Sequence, residues 1–185
     1  PRFVEAAVAS RLADAVADRV CVVGLFVDHD AEAVRAVLDQ VPLKLLQFHG
    51  SESNEFCASF GLPFMKVHRV RSAISATDLE QAFPDAGWHL LDTYVPGTPG
   101  GTGELFDWRY WPRGSALKLG LAGGLNPENV ATAIDQVRPA AVDVSGGVEG
   151  PRKGEKDAAK IRAFVAAVRA ADAEIDDQAG RKAGE

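Results

Sequence analysis

The fold class is decided by one stretch of sequence, LKLGLAGGLNPENV at residues 117–130. Its first five residues, Leu117–Leu121, are mostly apolar and predict a strand. Asn126 and Pro127 predict a helix start, because Asn can cap free backbone amides and Pro suits the first helical position. Two glycines lie between these signals. The stretch therefore predicts a strand, a glycine turn and a helix in direct succession.

The same alternation of strand and helix patterns runs along the whole chain. Val20–Val27 is apolar without alternation and predicts a strand buried on both faces. Five further strands are predicted at Leu43–Phe48, Phe64–Val70, Trp88–Leu91, Leu117–Leu121 and Ala140–Val144. Apolar spacing and helix start and stop signals predict helices at Phe3–Ala17, Ala31–Leu38, Glu52–Phe60, Thr77–Phe83, 126–137 and Lys156–Ala171. This order predicts a parallel α/β sheet with covering helices.

Two parallel architectures compete, an open doubly wound sheet and a closed barrel. No GxGxxG fingerprint follows the first predicted strand, whereas glycine-rich turns follow the last three. Because (β/α)8 barrels bind phosphate in the loops after strands seven and eight, we expect a (β/α)8 TIM barrel. Six strands are two short of eight, and the chain begins at Pro1 with Met65 as its single methionine. We therefore expect the first two strands and the first helix of the barrel to be missing from the chain.

Length and composition indicate one domain. We expect residues 1–171 to form a single (β/α) barrel domain, and residues 172–185, which are polar and lack apolar periodicity, to form a disordered tail. The net charge of −6 argues against a sequence-independent nucleic-acid binder. No apolar run reaches the length of a membrane span, and no secretory signal is visible. Cys21 and Cys57 lack CxxC spacing and indicate two buried thiols in a reducing cytoplasm.

Two glycine turns on successive β–α units are candidate phosphate loops. Gly123 and Gly124 let a ligand approach the backbone, and the helix that follows favours an anion at its N-terminus. Ser145, Gly146 and Gly147 follow the next strand and can offer a hydroxyl and amides to the same phosphate. Either turn alone also fits a tight connection without a ligand, but two together favour phosphate.

Asp92 follows two leucines at the end of the fourth predicted strand. In a barrel this position is catalytic, and a carboxylic acid there can act as a general acid. An Asx turn that stabilises the loop explains the residue equally well. The connection over residues 93–105 is long and glycine-rich, which predicts a mobile flap over a ligand or an insertion.

Four other polar residues are weaker candidates on their own. Gln47 and His49 alternate along the second predicted strand, so they share a face and could position a substrate, although a lone strand histidine is more often structural. Asp143 lies in an apolar strand and needs a partner, either a structural donor or a sugar hydroxyl. Arg2 precedes the first helix and alone would pass as a surface charge.

Seven segments in a fixed order resemble the phosphoribosylanthranilate isomerase family. The segments are Pro1–Phe3, Leu46–Gly50, Leu90–Thr93, Gly100–Gly103 with Phe106–Trp108, Leu121–Val130, Val142–Ser145 with Gly147–Glu149, and Gly154–Asp157. None is specific alone. Together they extend over nearly the whole chain to the final helix.

The resemblance implies a (β/α)8 barrel that performs an acid–base Amadori rearrangement in tryptophan biosynthesis, with no metal or cofactor. Asp92 would be the general acid, which protonates the sugar ring oxygen, and Arg2 would pair with the anthranilate carboxylate. The residues that would line the site are Gln47, His49 and Asp143, and those that would hold the phosphate are Gly123, Gly124, Ser145, Gly146 and Gly147. The expected partner is a phosphorylated small-molecule substrate, with no nucleic acid or membrane, and the expected state is a cytoplasmic monomer or homodimer.

Two positions depart from the family pattern. The family's general base is a cysteine in a Lys-x-Cys-Gly type motif at the end of its first strand, and neither Cys21 nor Cys57 has that setting. We therefore expect the chain to be N-terminally incomplete and, as it stands, to lose most of the isomerase rate. Gly146 replaces a serine usual in the family, and we expect only a small effect on phosphate binding because the backbone amide remains.

Two other functions fit parts of the sequence. Another phosphate-binding barrel, such as indole-glycerol-phosphate synthase or a pentose-phosphate epimerase, would need catalytic lysines in their own motifs or metal ligands, and the sequence has neither pattern. A non-catalytic phosphate-ligand-binding barrel fragment, or a module completed by a partner, would keep the glycine turns without the base. Ligand binding without turnover would favour this second alternative.

Overall fold

The computed structural model describes residues 2–16, 19–93 and 110–183. Its centre is a six-stranded parallel sheet. The strands are β1 Val23–Phe26, β2 Leu45–Phe48, β3 Phe64–Val70, β4 Trp88–Thr93, β5 Leu119–Ala122 and β6 Ala141–Val142. The helices are α1 Ala6–Val16, α2 Ala31–Leu38, α3 Asn54–Ala58, α4 Ala76–Ala82, α5 Val130–Val137 and α6 Ala158–Ala183, and a short 3₁₀ helix, Gly146–Val148, follows β6. The predicted alternation is confirmed, with β3 and α2 at their predicted bounds.

The order of the strands distinguishes the two architectures. The strands lie in chain order from β1 to β6, so every connection advances to the next neighbour in one direction. A doubly wound sheet instead reverses its strand order at a switch point. The sheet is therefore singly wound, as the wall of a barrel is, and forms a parallel half-barrel.

One ion pair links the start of the chain to the far end of the sheet. Arg2, just before α1, donates from Nε to Glu149 Oε1, which lies beyond β6, at 2.8 Å. The segment that precedes α1 therefore lies beside the carboxyl end of β6, at the opposite edge of the sheet from β1.

The core is divided between the two faces of the sheet. On the helix-covered face, one cluster joins α1, α2 and α3 to β1–β3, with Val34, Phe48 and Cys57 among its members. A second cluster on that face joins α5 and α6 to the later strands. On the opposite face, which we call the inner face, a small cluster comprises Met65, Val67, Leu90 and Ala122. Side chains that follow one another along a strand point to opposite faces of the sheet, so neighbouring residues belong to different clusters.

Strand β1 differs from its prediction as a strand buried on both faces. Phe26 is 5% exposed and packs towards the helices, but Leu25 is 55% exposed and Val23 42%. The reason is tertiary: β1 pairs only with β2 and is an edge strand, so its inner-face side chains lack a neighbour among the described residues. Cys21, expected to be buried, is also exposed, whereas Cys57 is buried as predicted.

The largest differences from the predicted helix boundaries are at the start of α5 and the end of α6. Regular helix α5 begins at Val130, but Asn126 does act as a cap, since its Oδ1 accepts from the amides of Glu128 and Asn129 at 2.9 and 3.0 Å. Helix α6 continues through the segment predicted as a disordered tail, so the expected boundary at residue 171 lies inside one helix. Ile175 explains the extension, because it lies one turn beyond Ala171 and packs on the same core. In the described ranges, no helix combines the length and apolar character needed to cross a membrane.

Two histidines on the helix-covered side of β3 and β4 form a stacked pair. A ring nitrogen of His68, Nε2, lies 3.1 Å from Nδ1 of His89, and the ring centroids are 5.3 Å apart. Burial, together with the neighbouring His89 and Lys66 charges, lowers the pKa of His68 to about 3, and burial also lowers the pKa of His89. Both rings are therefore neutral in the folded protein at neutral pH.

This pair predicts a loss of stability in mild acid. The unfolded chain binds protons at histidine below about pH 6.5, whereas folded His68 does so only near pH 3, so the unfolding free energy falls as the pH drops below 6.5. We expect the drop between pH 7 and pH 5, measured by urea unfolding, to be about 2 kcal/mol smaller in His68→Leu than in the wild type. The control is His29→Leu, at an exposed histidine, which should keep the wild-type slope. Equal pH slopes in His68→Leu and the wild type would contradict the assignment.

Candidate functional site

The predicted site residues meet at one edge of the sheet, where the carboxyl ends of the parallel strands lie. His49 follows β2, Asp92 is the penultimate residue of β4, Gly123 follows β5 and Asp143 follows β6. Because all the strands are parallel, these positions face the same rim. Ligand sites of parallel α/β folds occur at this rim, which agrees with the sequence-based prediction.

Gln47 and Asp92 both belong to the inner face. Gln47 alternates with Leu46 and Phe48, which pack under the helices, so its side chain projects from the opposite face. Asp92 lies two residues after Leu90, an inner-face cluster member. Gln47 is buried, whereas the side chain of Asp92 is 24% exposed and open to a ligand. The inner face therefore ends in a polar layer above its small apolar cluster.

The shortest contact in this polar layer joins His49 to Asp92. His49 Nε2 lies 3.2 Å from Asp92 Oδ2. His49 directly follows β2 and Asp92 lies in β4, so the contact passes over β3. Their side chains are about equally exposed, at 23% and 24%. A carboxyl group that is paired on one oxygen keeps its second oxygen available for a substrate. The arrangement suits proton transfer at the mouth of the barrel.

Asp143 is electrostatically linked to this pair. Its side chain is open to solvent, yet surrounding protein restricts its hydration and the negative charge of Asp92 repels its own, so the pKa of Asp143 is raised. The charges of His49 and Lys156 act in the opposite direction. Asp143 is therefore a rim carboxyl close to Asp92, rather than the buried structural acceptor that its apolar strand suggested.

Arg2 joins the site through Glu149. Besides the bond from Arg2, Glu149 Oε1 accepts one from Lys156 Nζ at 3.2 Å, and Lys156 also reaches the Ser145 carbonyl at 2.8 Å. The hydrogen bond from Arg2, helped by Lys156, lowers the pKa of Glu149 to about 2. No local sequence pattern indicated a role in the site for Glu149 or Lys156. The signal that could have found them is their place in two of the seven matching segments.

The two glycine turns interlock. Gly123 and Gly124 have φ angles of 89° and 65°, a left-handed backbone that glycine adopts at little cost. The side-chain amide of Asn129 donates to the Gly124 carbonyl at 3.0 Å, which holds this turn. A Cβ atom on Gly147 would overlap the Leu125 carbonyl oxygen and lie 2.9 Å from Asn126 Cα. Gly147 therefore lets the turn after β6 pack directly on the turn after β5, which brings both predicted phosphate loops together.

Other predictions lie away from this rim or outside the described residues. The predicted flap at residues 93–105 falls almost wholly outside the described part of the chain, as do the matching segments around Gly100 and Phe106. Cys21 precedes β1 at the opposite end of the strand. Cys57 packs in the core under α3, where burial raises the pKa of its thiol to about 11. A cavity of about 440 Å³ lies at the amino ends of β5 and β6, lined by Trp111, Arg113, Gln136 and Arg138 among others, and no predicted site residue lines it.

Comparison with known proteins identifies relatives over most of the chain. The family model described as N-(5'phosphoribosyl)anthranilate (PRA) isomerase matches residues 1–167. An N-(5'-phosphoribosyl)anthranilate isomerase of Pseudomonas fluorescens (strain Pf0-1) is 52% identical over 169 residues, which are 91% of this chain and 82% of that protein. The match to the family model includes all of the rim residues from Arg2 to Lys156.

Solved structures share the fold. The crystal structure of phosphoribosyl anthranilate isomerase from Thermotoga maritima superposes with a TM-score of 0.76 at 36% identity, over 91% of this chain and 82% of that one. Another crystal structure contains phosphoribosyl anthranilate isomerase in complex with reduced 1-(o-carboxyphenylamino)-1-deoxyribulose 5-phosphate. It matches at 33% identity with a TM-score of 0.71, over 91% of this chain and 81% of that chain.

Proposed function

Because the chain belongs to the N-(5'-phosphoribosyl)anthranilate isomerase family, we propose that its rim residues carry out the acid–base chemistry of that isomerisation. The reaction is one of tryptophan biosynthesis and converts N-(5'-phosphoribosyl)anthranilate to 1-(2-carboxyphenylamino)-1-deoxyribulose 5-phosphate. It opens a sugar ring and moves a proton between neighbouring carbons. The observation that supports the proposal most strongly is the His49–Asp92 contact beside the two glycine turns.

Asp92 is the proposed general acid. A proton delivered from its carboxyl to the furanose ring oxygen opens the ring and leaves a Schiff base between the sugar and the anthranilate nitrogen. His49, 3.2 Å from Oδ2, fixes the orientation of the carboxyl, so that the other oxygen faces the substrate. Asp143, close to Asp92 in the same rim, is placed to accept a hydrogen bond from a sugar hydroxyl. A general base, which the family resemblance assigns to a cysteine in a motif that this sequence does not contain, then takes the C2 proton. The enolamine that remains tautomerises to the ketone.

The two ends of the substrate require different binding groups, and the rim offers both. The glycine turns with Ser145 supply backbone amides and a hydroxyl for the phosphate. Glu149 holds Arg2 through Nε, and the guanidinium has two further nitrogens that can form a paired contact with the anthranilate carboxylate.

The proposed role of Arg2 predicts a change in KM. Its ion pair with the carboxylate exists in both the ground state and the transition state, so we expect Arg2→Ala to raise KM about 10-fold to 100-fold with little change in kcat. Steady-state kinetics of the gene product measures KM and kcat, and calorimetry measures its affinity for the reduced product analogue. Arg19→Ala, at an exposed arginine that bonds backbone carbonyls at the end of α1, is the control and should leave both unchanged. A loss confined to kcat would refute the carboxylate role.

We also propose that the half-barrel is the wall of a (β/α)8 barrel and that the protein acts as a cytoplasmic monomer or homodimer. The singly wound strand order supports the first statement. Light scattering of the purified gene product tests the second. A larger assembly would contradict it.

A further inference from the structure

A buried ion pair lies beneath the rim, and none of the proposed chemistry uses it. Lys66 Nζ is 2.8 Å from Glu52 Oε2, and the two side chains are only 5% and 3% exposed. Lys66 lies on the helix-covered side of β3, and Glu52 lies in the connection between β2 and α3. Buried ion pairs of this kind add little stability, because the loss of hydration offsets their attraction. A role in stability alone is therefore a weak explanation for this pair.

The other hydrogen bonds described for the pair all join it to backbone groups at the rim. Lys66 Nζ donates to the Gly50 carbonyl at 2.7 Å, and Glu52 Oε2 accepts from the Gly50 amide at 2.9 Å. The amide and the carbonyl of Gly50 are thus both hydrogen-bonded to the ion pair, the amide to Glu52 and the carbonyl to Lys66. The other Glu52 oxygen accepts from the Asp28 amide at 2.8 Å, which ties the loop after β1 to the loop after β2.

The backbone at Gly50 packs so closely on Asp28 that it leaves no room for a side chain. A Cβ at this position would overlap the Asp28 carboxylate and lie 2.7 Å from the Asp28 amide nitrogen. Asp28 itself accepts a hydrogen bond from the Ser51 amide at 2.6 Å. The segment from Gly50 to Glu52 is therefore held from the side of β1 and from the side of β3.

His49 is joined to Gly50 by a peptide bond, so the orientation of that peptide sets the direction of the His49 ring. We infer that Glu52 and Lys66 are positioning residues, whose buried ion pair holds Gly50 so that His49 contacts Asp92. The inference rests on the proposal that Asp92 is the general acid. It adds two residues that lie behind the sheet and do not touch the substrate.

The charge state of the pair agrees with this role. Burial by itself would raise the pKa of Glu52, but the hydrogen bonds from Lys66 and from the backbone amides of Asp28 and Glu52 outweigh it, so the pKa is lowered. Glu52 therefore stays ionised, and both of its oxygens accept hydrogen bonds. A neutral carboxylic acid would turn one acceptor into a donor and lose one of the two amides.

The test uses the double variant Glu52→Leu/Lys66→Met. Removing both charges avoids leaving one buried charge unpaired, so this variant should fold. If the pair positions His49, kcat of the gene product should fall about 10-fold to 100-fold, because small misplacements at a catalytic site have effects of that size. KM and the affinity for the reduced product analogue should change less than about 3-fold, since phosphate and carboxylate binding lie elsewhere.

Two matched variants separate positioning from stability. Lys66→Arg keeps donors for both Gly50 and Glu52, and should retain a kcat at least about 3-fold above that of the double variant. Val34→Ala removes methyl groups from the same core and should lower the melting temperature while kcat stays at the wild-type value. A double variant with wild-type kcat and a lowered melting temperature would overturn the inference. If Asp92→Asn also kept full activity, the acid assignment itself would fail, so the two failures are distinguishable.

Discussion

Asp92→Asn should abolish most turnover while the protein still binds its ligands. An amide cannot donate the proton that opens the furanose ring, and general acids of this kind contribute about 100-fold to 10,000-fold to the rate. The substitution keeps the size of the side chain and its contact distance to His49. We therefore expect kcat of the gene product to fall at least about 100-fold, with a melting temperature close to that of the wild type.

Binding provides the control for this prediction. The phosphate turns and Arg2 are proposed to contact other parts of the substrate, so calorimetry should give Asp92→Asn an affinity for the reduced product analogue within about 3-fold of the wild type. Wild-type turnover in Asp92→Asn would show that another group protonates the ring oxygen. One rim carboxyl that interacts with Asp92 is Asp143, whose pKa is raised by restricted hydration and by Asp92.

Gly147→Ala should damage both binding and stability. Its Cβ would overlap the Leu125 carbonyl oxygen, and the atoms involved are backbone that cannot rotate away. The turn after β6 must then separate from the turn after β5, which we expect to lower the unfolding free energy by about 1–3 kcal/mol. Because both turns are proposed to hold one phosphate, kcat/KM should fall about 100-fold.

A second glycine supplies the matched comparison. Gly180 lies in α6, and a Cβ there would meet no atom within 4 Å. Gly180→Ala should raise the unfolding free energy by up to about 1 kcal/mol and leave kcat/KM unchanged, because alanine is the better helix former. Urea unfolding and steady-state kinetics of the two variants make the comparison. Equal behaviour of Gly147→Ala and Gly180→Ala would show that the two turns are not packed as described.

The parts of the fold that follow from local patterns were predictable. Helix α2 and strand β3 have their predicted bounds, since the apolar residues that define each of them lie within a few positions; in the structure Asp30 also caps α2. Strand β1 was mispredicted as fully buried, since an apolar sequence does not reveal which strand occupies an edge. The end of α6 was placed too early, because a single apolar residue, Ile175, carries the signal through a charged segment.

Local residue patterns were enough to predict the strand–helix alternation, the two glycine turns and the common rim of His49, Asp92 and Asp143, because strand period and parallel order follow from such patterns. They do not show which of these groups touch. In the folded chain Arg2 contacts Glu149, His49 contacts Asp92, and Lys66 contacts Glu52, between elements that are distant in the chain. A lysine inside an apolar strand requires a partner, but no local pattern identifies Glu52 as that partner. Contacts of this kind depend on how strands and loops pack in three dimensions, which no short stretch of sequence encodes.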